Sequence, residues 1–357
     1  MDLVNSASQA SNDTAMIQTI VMEKEIHRSV KEGCFMKKSI FIVIAVVFVI
    51  LCGCKNQVSD SEEMNLQVSS AASADGTESA ENSLGTDSLM ELQKAAGVVP
   101  EEEERDDAVF SLRDGVLYAG NNPVDQSISS LDLTNLDADH WLFLRQFTAL
   151  EGLTLNASNM TEADFQVVAS LPALQTLIVF NYPFQSIDAL ASCSGLQSLY
   201  ICTAEDLCDG TMLSKLTELT DLSIFQAPNL TDCSAIAELE NLQILTLNEV
   251  GLDDISFLDG KETITALTLQ SIQNELDYAP LATVSNLETL SIIHSSFSQL
   301  EAIKDLKSLS YLYVYATDVE SFAPLASYQL PLKQMGCDAS EEDLEILKEA
   351  YPNCVFE

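Results

Sequence analysis

The sequence predicts an α/β solenoid, in which short parallel strands stack into one concave sheet and short helical or extended segments return along the convex side. The pattern apolar-x-x-Leu-x-apolar occurs nine times from Ile128 to Val314, and a tenth copy that ends at Cys337 has Met335 in the place of Leu. The steps between copies are 22 to 24 residues. In the last three places of each copy, apolar residues stand at alternate positions, which is typical of a short strand with one buried face. Recurrence of one such unit at this period is the signature of a stacked repeat array.

A single copy of this unit is too small to fold alone, which explains why the copies must stack. Burial of the three apolar strand side chains contributes about 5–9 kcal/mol. Ordering the backbone of one repeat costs about 30 kcal/mol in conformational entropy. Stacking adds hydrogen bonds between strands and buries the rest of each turn, so we expect one continuous core beneath the sheet.

The return half of each repeat carries a second apolar set that anchors it to the same core. Ile187 and Leu190 form one such pair, three residues apart. A proline within Ala279–Ala282 disfavours a long helix, so a short turn is expected there. Thr161, with acidic residues after it, predicts a capped helix start in the second repeat.

Both ends of a solenoid need covers, because an open end exposes core side chains and unpaired strand edges. Residues 108–127 are predicted to form the N-terminal cap, with a hairpin turn at Asp114 and Gly115. Residues 339–357 are predicted to form the C-terminal cap, a helix with acidic residues in its first turn and then a last strand. The repeats occupy residues 128–338 between them.

The repeat resembles a leucine-rich repeat of the short bacterial type, similar to the internalins, over residues 128–338. This resemblance implies a leucine-rich repeat horseshoe with its parallel sheet on the concave side. Places are counted from the first apolar residue of the pattern. In that group the ninth place of each repeat usually holds an Asn that bonds the loop backbone, and the chain departs from the group there. Here residues such as Leu136, Tyr182 and Val250 stand at that place, so the strands are better specified than the loops.

The residues before the repeats predict a secreted protein held at a membrane. An apolar run from Ile40 to Leu51 follows two lysines and is shorter than the ~20 residues that a spanning helix needs. The residues Leu-Cys-Gly-Cys that end at Cys54 resemble the bacterial lipoprotein signal, which implies a signal peptide over 36–53 and acylation of Cys54. Residues 1–35 are then an upstream extension from an incorrect start site. The alternative is a short transmembrane anchor with Cys54 unmodified.

Residues 54–107 are predicted to be a disordered acidic linker after the lipidated cysteine. They are rich in Ser, Ala, Asp and Glu and hold too little apolar surface to offset the entropy of ordering. A flexible chain of this length has a root-mean-square span of roughly 40 Å, which would lift a domain off the membrane. The other reading is an acidic tail that serves solubility. The expected location is the extracytoplasmic face of the cell membrane, with a lipid anchor.

The composition argues against several classes of function. The 357 residues include 55 acidic and 16 basic side chains, for a formal net charge of −39. Nucleic acids and anionic membranes are bound by Lys and Arg, so neither is expected as a partner. No phosphate loop, serine elbow or zinc-spaced cluster occurs, and Cys202 and His294 are predicted to lie roughly 19 Å apart, too far for proton transfer. We therefore expect no enzymatic activity, metal site or cofactor.

Residues that lie between the buried strand positions face the concave surface and form the candidate binding site. Large apolar side chains occupy these places in two groups: Ile178, Phe180, Tyr200, Cys202 and Phe225 on three adjoining strands, and Ile293, Tyr311, Tyr313 and Tyr315 near the C-terminal end. Exposed side chains of this size mark contact sites, and Tyr and Phe are favoured as interface anchors. The concave face is therefore predicted to bind an extracellular protein.

Three other interpretations of these residues are open at the sequence level. Tyr rings can stack on sugars, which would make the domain a module for cell-wall polysaccharide or peptidoglycan. The aromatic side chains could be covered by the domain itself, and the domain could be a spacer with no ligand. Separately, Cys337 and Cys354 fall on neighbouring terminal strands and could form a disulfide.

Overall fold

The structure is a computed structural model that describes residues 110–136, 138 and 140–357. The predictions that lie outside the described residues are the start-site extension, the signal peptide, the acylated cysteine and the linker, at 1–35, 36–53, Cys54 and 54–107. Within the described ranges, no helix has the length and apolar character needed to cross a membrane.

The described chain begins with an antiparallel sheet of three short strands, β1 (Phe110–Arg113), β2 (Val116–Ala119) and β3 (Asn122–Pro123). The predicted hairpin turn joins β1 to β2 through Asp114 and Gly115, whose φ angles are 52° and 77°. Two successive left-handed residues are what a tight hairpin turn requires, and an Asp-Gly pair adopts them with little strain. The hairpin prediction is confirmed.

One long parallel sheet follows, and the predicted solenoid is confirmed. Its eleven strands are each hydrogen-bonded to their sequence neighbours, as stacking of successive coils requires. In chain order they are β4 (Ser130–Leu133), β5 (Gly152–Asn156), β6 (Thr176–Phe180), β7 (Ser198–Cys202), β8 (Asp221–Ala227), β9 (Ile244–Val250), β10 (Ala266–Gln270), β11 (Thr289–Ile293), β12 (Tyr311–Tyr315), β13 (Gln334–Cys337) and β14 (Val355–Phe356).

The leucines of the repeat pattern form a single core under this sheet. Leu199, Leu222 and Leu245 pair in register across β7, β8 and β9, and each is 0 % exposed. The same cluster of buried side chains extends from the first strands to the C-terminal end. A fully buried Leu contributes about 1.5–3 kcal/mol, so the aligned rows supply the burial that no single repeat could supply alone.

Most repeats return along the convex side through a short 3₁₀ helix. These are Leu142–Gln146, Asp188–Leu190, Thr211–Lys215, Ser234–Glu238, Ser256–Leu258, Ala279–Thr283, Leu300–Ile303 and Ala323–Ser327. The second repeat returns instead through an α-helix, α1 (Glu162–Ala169), which begins after Thr161 as predicted. The Thr161 hydroxyl accepts a hydrogen bond from the Asp164 N–H at 3.2 Å, and the Asp164 carboxylate accepts one from the Thr161 N–H at 3.1 Å. This reciprocal cap satisfies two backbone donors that a helix start leaves unpaired.

Left-handed residues turn the chain just before the ninth place of the repeat. The eighth place of seven successive repeats has a φ between 49° and 54°: Asn181, Thr203, Gln226, Glu249, Ser271, His294 and Ala316. Such a conformation costs roughly 1–2 kcal/mol for a residue other than Gly. It allows the next residue to enter the core, where the ninth-place side chains Tyr182 and Val250 are buried. Apolar side chains such as Tyr182 and Val250 therefore pack beneath the turn. In one repeat the buried ninth-place residue is Ser295, whose hydroxyl accepts a hydrogen bond of 3.0 Å from the Ile272 N–H.

The C-terminal end is covered by α2 (Glu341–Ala350) and β14. α2 begins after Ser340, whose hydroxyl accepts a hydrogen bond from the Asp343 N–H at 3.1 Å. The buried Asp343 carboxylate accepts one from the Phe322 N–H at 2.8 Å, and the Tyr351 hydroxyl donates to a carbonyl of the last 3₁₀ helix. These hydrogen bonds fasten α2 over the end of the last repeat and keep its core from solvent.

Candidate binding face

Alternate residues of each strand point to the concave side, and the parallel register aligns them in rows across the sheet. In β12 the side chains of Leu312 and Val314 enter the core and are 0 % exposed, which leaves the three tyrosines of that strand on the other side. The predicted binding residues all stand in these rows. They fall in three places along the sheet, and their exposure differs from one place to the next.

The C-terminal group is accessible and lies together as predicted. Tyr311, Tyr313 and Tyr315, which we call the tyrosine ledge, are half-buried and follow one another at intervals of about 6.6 Å along β12. Ile293 of β11 pairs with Tyr315 and is also half-buried. The cross-strand neighbour of Tyr313 in β11 is the small Ser291, which leaves room beside the Tyr313 ring.

The ledge also depends on Gly336, which lies opposite Tyr313 in β13. A Cβ atom at Gly336 would lie 2.2 Å from the hydroxyl oxygen of Tyr315 and 2.8 Å from its Cζ. The Tyr315 ring therefore lies across β13, in the space that a side chain at Gly336 would fill. Its hydroxyl donates a hydrogen bond of 3.4 Å to the backbone oxygen of Glu357. The pattern of buried strand residues does not reveal this role for Gly336.

Tyr313 and Tyr315 are neutral at physiological pH. Burial raises the pKa of Tyr313 to about 12, and the negative charge of Glu357 adds to the rise. Burial also raises the pKa of Tyr315, again with a contribution from Glu357. The ledge therefore presents uncharged aromatic rings and hydroxyl groups that can both donate and accept hydrogen bonds.

Ile178 and Phe180 form a smaller accessible pair in β6. Both side chains are half-buried, and their partners on β5 are Thr154 and Asn156. Polar neighbours on one side limit the apolar area of this pair. It is a second, weaker contact point about six strands from the tyrosine ledge.

Tyr200 and Phe225 also stand on the concave side, but they are buried, which corrects the expectation that they are exposed contacts. Tyr200 is 2 % exposed, and its hydroxyl donates a hydrogen bond of 2.6 Å to the Asp221 carboxylate. Phe225 is 0 % exposed, and the neighbouring places of its row hold Cys202 and Asn248, which are buried too. Strands lie about 4.8 Å apart, so side chains in adjacent places of a row pack on one another here and bury the two rings.

This buried middle section contains polar groups that sequence reasoning missed. Asp221 Oδ1, Ser223 Oγ and Asn248 Oδ1 have no hydrogen-bond partner among the described residues. Burial raises the pKa of Asp221 to about 6, although the hydrogen bond from Tyr200 opposes the rise. One signal could have identified Asp221: the third place of the motif is uncharged in the other nine repeats.

Cys337 and Cys354 are free thiols, so the disulfide that their positions suggested is not formed. The pairing of Gln334 with Val355 puts Cys354 opposite Lys333, four residues before Cys337 along the strand direction. This offset is about 13 Å, whereas the Cα atoms of bonded cysteines lie about 4.4–6.8 Å apart. Cys337 ends β13 and Cys354 directly precedes β14, so the two cysteines lie on neighbouring coils as predicted, but their register keeps them apart.

The described residues contain no group of three or more His, Cys, Asp or Glu side chains that could hold a metal ion. Exposed aspartates bond the backbone of their own loops instead. Asp209, for example, accepts a hydrogen bond of 2.9 Å from the Thr211 N–H, and hydrogen bonds from the side chain and backbone of Thr211 lower the pKa of Asp209. Cys202 in β7 and His294 after β11 are four strands apart.

No protein-family model matches the chain, and no curated protein matches it. Among solved structures the chain is similar to internalin C2 of Listeria monocytogenes, with 27 % identity over 56 % of this chain and 84 % of that one, at a TM-score of 0.43. It is also similar to an internalin (inlF) of the same species, with 22 % identity over 66 % of this chain and 82 % of that one, at a TM-score of 0.47. Both bear the name of the group that the repeat resembles. The leucine-rich repeat fold itself rests on the strand order and register described above.

Proposed function

We propose that the protein is a membrane-anchored, extracytoplasmic binding protein that recognises a protein partner through its concave face. The observation that carries this proposal is the tyrosine ledge, three half-buried tyrosines with Ile293 beside them on a hydrogen-bonded parallel sheet. Tyrosine offers a large amphipathic surface with few rotatable bonds, so little entropy is lost when it is ordered in a complex.

The shape of the sheet supports a macromolecular ligand. Eleven strands at about 4.8 Å spacing span roughly 48 Å, far more than a small molecule covers. The backbone of each inner strand is hydrogen-bonded on both sides, so the face exists before the partner arrives. A preformed face avoids the entropic cost of ordering a loop on binding.

The N-terminal sequence supports the location. An acylated Cys54 would carry two or more chains, each worth about 0.8 kcal/mol per buried methylene, which is enough for stable anchoring. The acidic residues 54–107 would then separate the repeats from the membrane surface and leave the concave face free to meet a partner. The corresponding test is replacement of Cys54 by Ala, which should release the protein from the membrane fraction, while Cys52→Ala should leave it bound.

Recognition of cell-wall polysaccharide or peptidoglycan is a second candidate function. The observation that favours it is the partial exposure of the ledge, because accessible tyrosine rings can also stack on sugar rings. The two candidate functions differ in the class of molecule that the ledge should bind. A protein partner would be captured by crosslinking, and a glycan would be retained on an array of wall fragments.

The full chain should therefore be crosslinked in its native surroundings with wild-type protein, a Tyr313→Ala variant and a Leu142→Ala control. Leu142 is 54 % exposed in the first 3₁₀ helix, outside the concave rows, so it matches the loss of an exposed apolar group elsewhere. A protein captured by the wild type and the control, but not by Tyr313→Ala, supports the proposal. Equal capture by all three proteins would remove the concave face as the binding site.

A further inference from the structure

The tyrosine ledge lies in a negatively charged part of the surface. Asp338 directly follows β13, and its carboxylate accepts a hydrogen bond of 2.5 Å from the N–H of Ala316, the residue after Tyr315. The Glu357 carboxylate accepts one of 2.6 Å from the Gln334 amide. Both carboxylates are exposed and bonded to neutral donors, so their charges are not cancelled by a neighbouring cation.

This charge is uncompensated well beyond the ledge. In the part of the chain that the structure describes, a single ion pair occurs, at 4.0 Å between Lys307 and Asp305. The sequence as a whole carries a formal net charge of −39. A ligand that approaches the ledge therefore meets a negative potential, which attracts cations and repels anionic polymers.

One cation of the chain already uses a ring of the ledge. Lys333 Nζ lies 5.9 Å from the centroid of the Tyr311 ring, within the range over which an ammonium group is attracted by an aromatic face. Lys333 is exposed and sits at the edge of the ledge. Tyr313 and Tyr315 have no cation of the described residues over their rings. Each of these two rings can therefore bind a cation in the way that the Tyr311 ring binds Lys333.

From these contacts we infer that the tyrosine ledge receives a Lys or Arg side chain from a basic segment of the protein partner. The cation lies against the faces of Tyr313 and Tyr315, and the carboxylates of Asp338 and Glu357 complete the site. This inference rests on the proposed function and adds the chemistry of the partner. Charge complementarity selects a cationic peptide over a neutral sugar, because a sugar would leave both carboxylates without a counter-charge.

The inference is tested with the full chain and a fluorescent octapeptide of alternating Lys and Gly, whose dissociation constant is measured by anisotropy at physiological ionic strength. Octapeptides with Glu or Ser in place of Lys are the matched probes. Tyr313→Phe keeps the aromatic face and should bind the Lys peptide within about two-fold of wild type, whereas Tyr313→Leu should bind it about three- to five-fold more weakly. The Glu and Ser peptides should bind at least ten-fold more weakly than the Lys peptide.

Two surface variants and a matched control test the charges without replacing a tyrosine or a core residue. Glu357→Gln should weaken binding of the Lys peptide about two-fold, whereas Glu349→Gln, the same change on the exposed face of α2, should leave it unchanged. Lys333→Gln removes a competing cation and should strengthen binding about two-fold. Thermal melts of each variant establish that the fold is retained.

The outcomes separate this inference from the proposed function. Equal affinity of wild type, Tyr313→Phe and Tyr313→Leu for the Lys peptide would mean that the attraction is diffuse, and the inference fails. Binding of a chito-oligosaccharide that depends on Tyr313, without binding of the Lys peptide, also overturns it. If the crosslinking experiment still captures a protein in a Tyr313-dependent way while the peptide does not bind, the proposed function stands and the cationic partner does not.

Discussion

Replacement of Gly251 by Ala should destabilise the solenoid more than any comparable change in a loop. Gly251 follows β9, and a Cβ atom there would lie 2.1 Å from the carbonyl oxygen of Pro228 in the preceding repeat. Relief to an ordinary contact of 3.4 Å or more requires the two backbones to separate by about 1.3 Å, because a carbonyl cannot rotate away as a side chain can. The hydrogen bond of 3.2 Å from the Gly251 N–H to the Ala227 carbonyl would be lost in this movement.

The size of the effect follows from these two contributions. Overpacking against a fixed group costs about 1–3 kcal/mol, and loss of one backbone hydrogen bond adds about 1 kcal/mol. We therefore expect a fall of about 2–4 kcal/mol in the free energy of unfolding. With an m-value of about 3 kcal/mol/M, the urea midpoint should fall by about 1 M.

The assay is urea unfolding of the full chain, followed by tryptophan fluorescence and by circular dichroism. Trp141 is the single tryptophan of the chain and is 2 % exposed, so its emission reports unfolding of the repeats near the N-terminal end. The control is Gly195→Ala, where the nearest atom to an added Cβ is the Leu174 carbonyl oxygen at 3.8 Å. That variant should be neutral or more stable by up to about 1 kcal/mol, because Ala restricts the unfolded chain. Equal midpoints for the two variants would refute the reasoning.

Three further predictions concern the ledge, the buried middle of the sheet and the C-terminal cap. Gly336→Ala should displace the Tyr315 ring. Because that ring can move, the free energy of unfolding should change by less than about 1 kcal/mol, whereas capture of the partner by crosslinking should fall. Undiminished capture would argue against a role for the ring. The pKa of Asp221 is about 6 in the folded protein, against an ordinary value of 3.8. The native state therefore binds the proton more tightly than the unfolded chain, and the stability of the wild type falls as pH rises from 4 to 6. Asp221→Asn lacks this loss of stability. Its free energy of unfolding, relative to that of wild type, should therefore rise by on the order of 2–3 kcal/mol between pH 4 and pH 7. Urea unfolding at both pH values measures this difference, and a difference that does not change with pH would contradict the prediction. Asp343→Ala leaves the buried Phe322 N–H without its acceptor, which should cost about 1–3 kcal/mol and speed hydrogen exchange at that amide; unchanged exchange would show that the cap is held by other contacts.

The tyrosine ledge could be predicted from the sequence because it follows from a local rule. Alternation along a strand puts Tyr311, Tyr313 and Tyr315 on the side opposite the buried leucines, whatever the rest of the chain does. The same rule put Tyr200 and Phe225 on the concave side. It could not give their burial, because exposure depends on the side chains that the neighbouring repeats place around them.

The loops and the terminal strands show the same division. The hairpin turn and the start of α1 were predictable, because an Asp-Gly pair and a Thr with acidic residues after it act within a few residues of chain. The separation of Cys337 from Cys354 was not, since it depends on the register between two strands. The close approach of Gly251 to Pro228 is also set by how far each coil is shifted on the one before.

The sequence by itself determined the repeat, the parallel order of the strands and the identity of the buried leucines. These follow from a hydrophobic period that only stacked coils can satisfy, because no single repeat buries enough surface to fold. The tertiary structure decided which concave side chains reach solvent, where a glycine lets an aromatic ring lie flat, and which carboxylates stand beside the ledge. Those features are contacts between residues about 20 or more positions apart, and their geometry depends on the exact register and curvature of the stacked coils.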